Sequence, residues 1–243
     1  AATDCGICVV HTPDAPTISV TEFTIALMIA LLRKLIKLDQ VVRGGGWNSK
    51  ELISHELYGK HVGLVGCGRI GRRLAKILNA FEAKVTIYDP YVTPDVMATL
   101  NAESAKSLEA LLSTSDLVSL HLPLNEETRG LIGKAELTLM KPTALLINVA
   151  RGPIIDEAEL YRALVDGEIA GAGLDVFTSE PTAADNPLFS LDNVELAPHA
   201  AGFTWETKGR SNPGAATQAL QVLNGEMPPF LANPEVWEKR RGR

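Results

Sequence analysis

Val62-Gly-Leu-Val65 runs into Gly66-Cys67-Gly68-Arg69-Ile70-Gly71, and an amphipathic stretch then continues to Asn79. A short apolar run, a Gly-x-Gly-x-x-Gly turn and a helical pattern in that order form a strand, a tight turn and a helix. Gly66 permits the turn, Gly68 lets a pyrophosphate approach the backbone, and Gly71 lets the helix pack close to the strand. The free amides and partial positive charge of the helix N-terminus then hold phosphate oxygens. A bare glycine pattern is a weak signal, so its surroundings decide its weight.

The next apolar run ends at Tyr88-Asp89-Pro90, with Asp89 18 residues beyond Gly71. A carboxylate at that distance accepts hydrogen bonds from an adenosine ribose. No Arg or Lys follows Asp89 until Lys106, so nothing there welcomes a 2′-phosphate, and the reading is NAD rather than NADP. As an alternative, Asp89 is a strand-end turn residue beside Pro90.

Strand-like runs fall at 61–66, 84–89, 116–122, 144–149, 171–176 and 193–197. Helical patterns fall near 69–80, 107–113, 134–140 and 157–166, the last framed by Asp156, Glu159 and Gly167. Runs such as Ala144-Leu-Leu-Ile147 are apolar without alternation, as in a parallel sheet covered on both faces. The fold class expected is α/β, a doubly wound parallel sheet. Ahead of it, Ile7 to His11 reads as a strand. Ser19-Val-Thr-Glu22 reads as a capping box opening one long helix from about 20 to 42, apolar enough in its first half to suggest a subunit interface. Near the end of the chain, Asn212-Pro213-Gly214 predicts a helix break with Asn212 as a new cap, since an interior proline costs about 3 kcal/mol.

Composition agrees with a globular fold. The 243 residues are 46% hydrophobic and 21% charged, with a net charge of −6. That acidic balance, with no long basic tract, argues against nucleic-acid and anionic-membrane partners. The apolar stretch from Phe23 to Leu32 is shorter than the roughly 20 residues needed to span a bilayer. Three cysteines, Cys5, Cys8 and Cys67, form no disulfide framework and point to the cytoplasm. Cys5-Gly-Ile-Cys8 has metal-like spacing without a second pair, so no metal is expected.

Three further segments follow apolar runs: Asn148 to Gly152, Gly173 to Pro181, and Ala197 to Gly202. They bring Arg151, Asp175 with Glu180, and His199 to the strand ends where open α/β sheets bind ligands. Alcohol oxidation by hydride loss needs a base, and imidazole titrates near neutral pH. A carboxylate bonded to the imidazole fixes its tautomer, and a guanidinium grips a substrate carboxylate. Each residue has an ordinary alternative: Arg151 paired with Asp156, Glu180 as a loop residue, His199 as a core histidine bonded to backbone.

Taken together, the Gly66–Gly71 fingerprint, His121-Leu-Pro123, Thr128, Asn148–Gly152, Gly173–Pro181 and Pro198–Gly202 resemble the D-isomer-specific 2-hydroxyacid dehydrogenases over nearly the whole chain. The family includes phosphoglycerate dehydrogenase, glyoxylate/hydroxypyruvate reductase and D-lactate dehydrogenase. The resemblance implies an NAD-dependent oxidoreductase acting on a small D-2-hydroxy or 2-keto acid. In it Arg151 binds the substrate carboxylate, His199 is the acid/base and Glu180 its partner. It further implies cofactor contacts from Gly66, Gly68, Arg69, Ile70, Gly71, Asp89, His121, Pro123, Thr128, Val149, Ala150, Arg151, Asp175, His199 and Gly202, with Thr12 a weaker addition. Asp175 is placed near the nicotinamide carboxamide. Glu180 argues against formate dehydrogenase, where the family pattern has Gln. Pro16 stands where phosphoglycerate dehydrogenases tend to carry Asn.

The implied organisation is the end of a substrate domain with its connecting helix (1–55), a Rossmann NAD-binding domain (56–204), and a C-terminal helix and tail returning to the substrate domain (205–243). Most of the N-terminal substrate domain is expected to be missing. A homodimer built around the long helix is implied. The alternatives are a corepressor-like NAD-binding protein, which keeps the same three residues, and a catalytically incomplete NAD-binding fragment.

Overall fold

Seven short strands carry the architecture: β1 (His61–Val65), β2 (Lys84–Tyr88), β3 (Glu103–Ser104), β4 (Leu117–Leu120), β5 (Leu145–Asn148), β6 (Gly171–Leu174) and β7 (Val194–Leu196). The computed structural model describes residues 1–47 and 52–241. The strands form one sheet in the order β3-β2-β1-β4-β5-β6-β7. All pairings are parallel, with Val65 opposite Tyr88 on one side and Leu120 on the other. The order reverses at β1, so the chain winds outward in both directions from the strand that precedes the glycine turn. β3 was absent from the sequence reading, since its two exposed residues carry no apolar signal.

Strand residues alternate between two cores. Val62, Leu64, Leu145 and Ile147 face one, while Val65, Val118, Leu146 and Ala172 face the other. Both faces are covered by helices, which is why the strands read as unbroken apolar runs. The helices are α1 (Thr17–Arg33), α2 (Leu35–Arg43), α3 (Arg69–Ala80), α4 (Pro94–Ala98), α5 (Leu108–Thr114), α6 (Lys134–Leu139), α7 (Glu157–Val165) and α8 (Trp205–Leu223). The cap expected at Asp156 is present: its carboxylate accepts the amides of Ala158 and Glu159, both at 3.1 Å. α4 was not anticipated.

The long helix differs from its expectation in two ways. It starts at Thr17, after Pro16, and Ser19 lies inside it rather than capping it. The Ser19 hydroxyl instead meets those of Thr204 and Thr207, each at 2.8 Å. The helix also breaks at Lys34, whose φ is +51°. The carbonyl of Leu32, which a continuous helix would offer to residue 36, accepts the amide of His55 at 2.9 Å. α2 beyond the break buries no residue.

By contact the chain divides into two compact units, Val20–Ala201, which holds the sheet, and Ala1–Ser19 with Gly202–Arg243. In the latter, Ile7–His11 is not a strand but makes a single antiparallel bridge, Val10 to Leu231. Two buried amides complete it. Asn233 accepts the Val9 amide at 2.8 Å, and Gln218 donates to the His11 carbonyl at 2.9 Å. α8 passes through Pro213 without the expected break. Arg210 bonded to the Ala15 carbonyl and Gln218 bonded to His11 hold it on both sides of the proline. Those contacts offset the one lost helical hydrogen bond. The last two residues of the expected tail, Gly242 and Arg243, lie outside the described residues.

Candidate active site

The C-terminal ends of β1 and β2 build the first half of the site. Gly66 leaves β1 with φ +105°, and a β-carbon there would come 2.5 Å from the His121 carbonyl oxygen. Only glycine fits that conformation and that approach. A β-carbon on Gly71 would overlap the Gly66 carbonyl, so α3 can begin directly above the turn. Gly68 caps α3 without a side-chain bond and is open to solvent, with nothing within 4 Å of a β-carbon position. Arg69 is exposed and Ile70 half-buried beside it. Asp89 accepts the Cys67 amide at 2.7 Å and the Tyr91 amide at 2.9 Å. A strapped carboxylate beside an open helix N-terminus suits a dinucleotide, the amides taking pyrophosphate and Asp89 the ribose.

Beyond β4, His121 packs under the glycine turn. Its Nε2 lies 2.9 Å from the buried Ser119 hydroxyl, while its buried Nδ1 has no partner among the described residues. Burial pushes its pKa down to about 4, so the ring is neutral near pH 7. Pro123 and Thr128 belong to one braced loop. The Thr128 hydroxyl donates to the Pro123 carbonyl at 2.6 Å and accepts the Asn125 amide at 2.9 Å.

The second half is built at the ends of β5, β6 and β7. Buried Asn148 turns the chain by accepting the Ala150 amide (3.0 Å) and donating to the Arg151 carbonyl (2.9 Å). Val149 and Ala150 are buried and Arg151 is exposed. Gly152 then crosses the backbone of Phe177 so closely that a β-carbon would overlap its carbonyl group. This crossing joins the Arg151 loop to the Glu180 loop. Glu180 accepts the Phe177 amide at 3.0 Å with one oxygen, and the other lies 2.7 Å from His199 Nδ1. Burial would raise the Glu180 pKa, but the His199 hydrogen bond, the Phe177 amide and the charges of His199 and Arg151 hold it below the ordinary value. Asp156, by contrast, is committed to its helix cap.

His199 sits at φ +55°. Its amide donates to the Asp175 carbonyl at 2.7 Å, and the Asp175 carboxylate accepts the amides of Ala200 (2.7 Å) and Ala201 (2.9 Å). Burial raises the pKa of Asp175 against the pull of those amides. In this structure Asp175 braces the turn that carries the imidazole. A cavity of about 640 Å³ adjoins Glu180 and His199, walled by Phe177, Phe189, Leu196 and Pro198.

The structure thus gathers the glycine turn and Asp89 at one part of the sheet edge, and Arg151, Asp175, Glu180 and His199 at another. Thr12 and Gly202 fall in the other unit, where the Thr12 hydroxyl meets Ser211 at 2.9 Å and the Gly202 carbonyl accepts the Thr204 amide at 3.2 Å. Sequence reasoning missed the Asn148 turn and the Gly152 crossing. A glycine directly after a candidate guanidinium was the available signal.

The chain is similar to known proteins over most of its length. Residues 25–201 match the family described as D-isomer specific 2-hydroxyacid dehydrogenase, NAD binding domain. A glyoxylate reductase of Thermofilum pendens is 46% identical, over 98% of this chain and 72% of its own length. The crystal structure of D-lactate dehydrogenase with NAD+ from Lactobacillus jensenii superposes with a TM-score of 0.85 at 32% identity, covering 95% of this chain and 73% of that one. An acyclic imino acid reductase in complex with NADPH and D-Arg also gives 0.85 at 32%, over 95% of this chain and 72% of that one. The chain belongs to the D-isomer specific 2-hydroxyacid dehydrogenase family, an NAD-dependent oxidoreductase family.

Proposed function

We propose that the protein transfers hydride between NAD(H) and C2 of a small D-2-hydroxy or 2-keto acid, with glyoxylate first among the substrates to try. The observation that carries this reading is the 2.7 Å bond between His199 Nδ1 and the Glu180 carboxylate at the edge of a nucleotide-binding sheet. An ionised carboxylate only accepts, so Nδ1 carries its proton and Nε2 is left to face substrate. During reduction the ring starts as the imidazolium and gives its Nε2 proton to the carbonyl oxygen, keeping Nδ1–H on Glu180, and during oxidation Nε2 takes the hydroxyl proton back. Glu180 holds the tautomer and stabilises the imidazolium. Arg151 grips the substrate carboxylate and polarises the adjoining carbonyl. When bound, NAD(H) would supply or accept the hydride, and Gly66–Gly71 and Asp89 would hold its pyrophosphate and ribose.

The organisation that suits this reading is a sheet domain over 56–204, preceded by the end of a substrate domain with its connecting helix (1–55) and followed by a C-terminal helix and tail returning to the substrate domain (205–243). A homodimer is supported by the exposed Leu35, Ile36 and Val42 of α2, an apolar face with no cover within the described residues. Free Cys5, Cys8 and Cys67 favour the cytoplasm. Among the described residues no helix is long and apolar enough to cross a membrane. The test is NADH oxidation, followed by absorbance, with glyoxylate, hydroxypyruvate, pyruvate and phosphohydroxypyruvate. Turnover that persists in His199→Ala would overturn the assignment.

A further inference from the structure

Two loops that leave opposite sides of β1 touch each other. The Tyr91 hydroxyl, just past β2, donates to a Glu127 carboxylate oxygen at 3.0 Å, just past β4. β1 lies between those strands and ends in the glycine turn. Neighbouring strands are about 4.8 Å apart, so the contact spans roughly 10 Å across the tip of β1. Both anchors are fixed. Tyr91 is tied back through its amide to Asp89, and Glu127 belongs to the loop braced by Asn125 and Thr128. The side chains themselves are exposed, yet each is set in place from its own backbone.

We propose that Glu127, held by Tyr91, is a second carboxylate that selects against a phosphorylated ribose at the adenosine end of the cleft. The inference rests on the ribose role given to Asp89. The scaffold alone does not choose the cofactor, since one solved relative holds NAD+ and another NADPH. Discrimination must therefore come from charges local to the ribose. A 2′-phosphate brings about two negative charges between Asp89 on one side and Glu127 on the other. Specificity built from repulsion against the wrong ligand needs no added contact with the right one. The Asp89 and Glu127 charges also raise the pKa of the Tyr91 phenol, after the hydrogen bond itself, so both carboxylates act on this small region. Repulsion at an exposed site is screened, with a Debye length of about 30 Å at 0.01 M salt and less than 8 Å at 0.3 M.

Affinity gives the test, without turnover. Dissociation constants for NADH and NADPH are measured by quenching of tryptophan fluorescence, at 10 mM and 300 mM salt, for the natural protein and for Glu127→Gln, Tyr91→Phe and Asp89→Asn. At low salt, Glu127→Gln is expected to tighten NADPH about 3–10-fold relative to NADH, and at high salt less than 2-fold. Tyr91→Phe, which frees the carboxylate without removing it, is expected to give a smaller shift in the same direction. An unchanged NADPH to NADH ratio in Glu127→Gln at low salt, with Asp89→Asn altering it, overturns the proposal alone. If Asp89→Asn changes neither constant, the ribose reading fails and takes the proposal with it.

Discussion

His199 Nδ1 and Glu180 Oε2 stand 2.7 Å apart, on loops that follow β7 and β6, and the same Glu180 reaches the Phe177 amide with its other oxygen. The carboxylate is thereby oriented before it orients the imidazole. His199→Ala is expected to lower kcat at least 10²–10⁴-fold, the scale of general acid–base catalysis, while NADH affinity changes less than about twofold. Glu180→Gln keeps the shape but removes the charge, and is expected to fall between the two in kcat. Equal loss of turnover and NADH binding in His199→Ala would show that the histidine is structural.

Arg151 is exposed on a turn made by Asn148, and its guanidinium donates to the Ala150 carbonyl at 2.6 Å. Arg151→Lys keeps the charge and loses the planar fork. The expected outcome is a KM for the 2-keto acid raised about tenfold or more, with NADH affinity retained. Steady-state kinetics at saturating NADH read this directly, and an unchanged KM would remove Arg151 from the substrate site.

Asp89 accepts two loop amides, and in the proposed function its remaining lone pairs accept from a ribose. Asp89→Ala is expected to weaken NAD binding by about 1–3 kcal/mol, the scale of a charged hydrogen bond. Isothermal titration calorimetry measures it, and unchanged binding refutes the ribose role.

His121 makes stability depend on acid. Its pKa is about 4 in the folded chain against 6.5 for an unperturbed histidine, so between those values the unfolded state binds more protons. Stability is therefore fully present above pH 6.5 and declines as pH falls toward 4, by up to about 3 kcal/mol. His121→Leu is expected to flatten the fall in urea midpoint between pH 7 and pH 5. The same slope in both proteins would mean that the ring is not held neutral.

Gly152 has no room for a side chain against Phe177. Gly152→Ala is expected to destabilise by about 1–3 kcal/mol or more, as overpacking does, and to lower turnover by separating Arg151 from Glu180. A melting temperature and kcat equal to those of the natural protein would show that the crossing yields easily.

Much of this was legible in the sequence because the decisive features are local. The glycine turn, the unbroken apolar strands and the Asp156 cap each depend on a few neighbouring residues. The errors came where a distant partner won. Ser19 lost its capping role to Thr204 and Thr207, Leu32 gave its carbonyl to His55 and ended the helix at Lys34, and contacts from Arg210 and Gln218 carried α8 through Pro213. β3 and α4 were missed for want of apolar periodicity. At the site, residue types and strand-end positions offered Arg151, Asp175, Glu180 and His199, each with an ordinary alternative, and the family resemblance singled out Arg151, Glu180 and His199. Their spacing, by contrast, depends on the Gly152–Phe177 crossing, of which the sequence shows only the glycine after Arg151.

Asp175 spends both carboxylate oxygens on the amides of Ala200 and Ala201, and its own carbonyl on that of His199. The imidazole is consequently aimed from behind. A substitution that never meets substrate, such as Asp175→Ala, would let the ring swing on a loosened pivot and leave the imidazole misdirected.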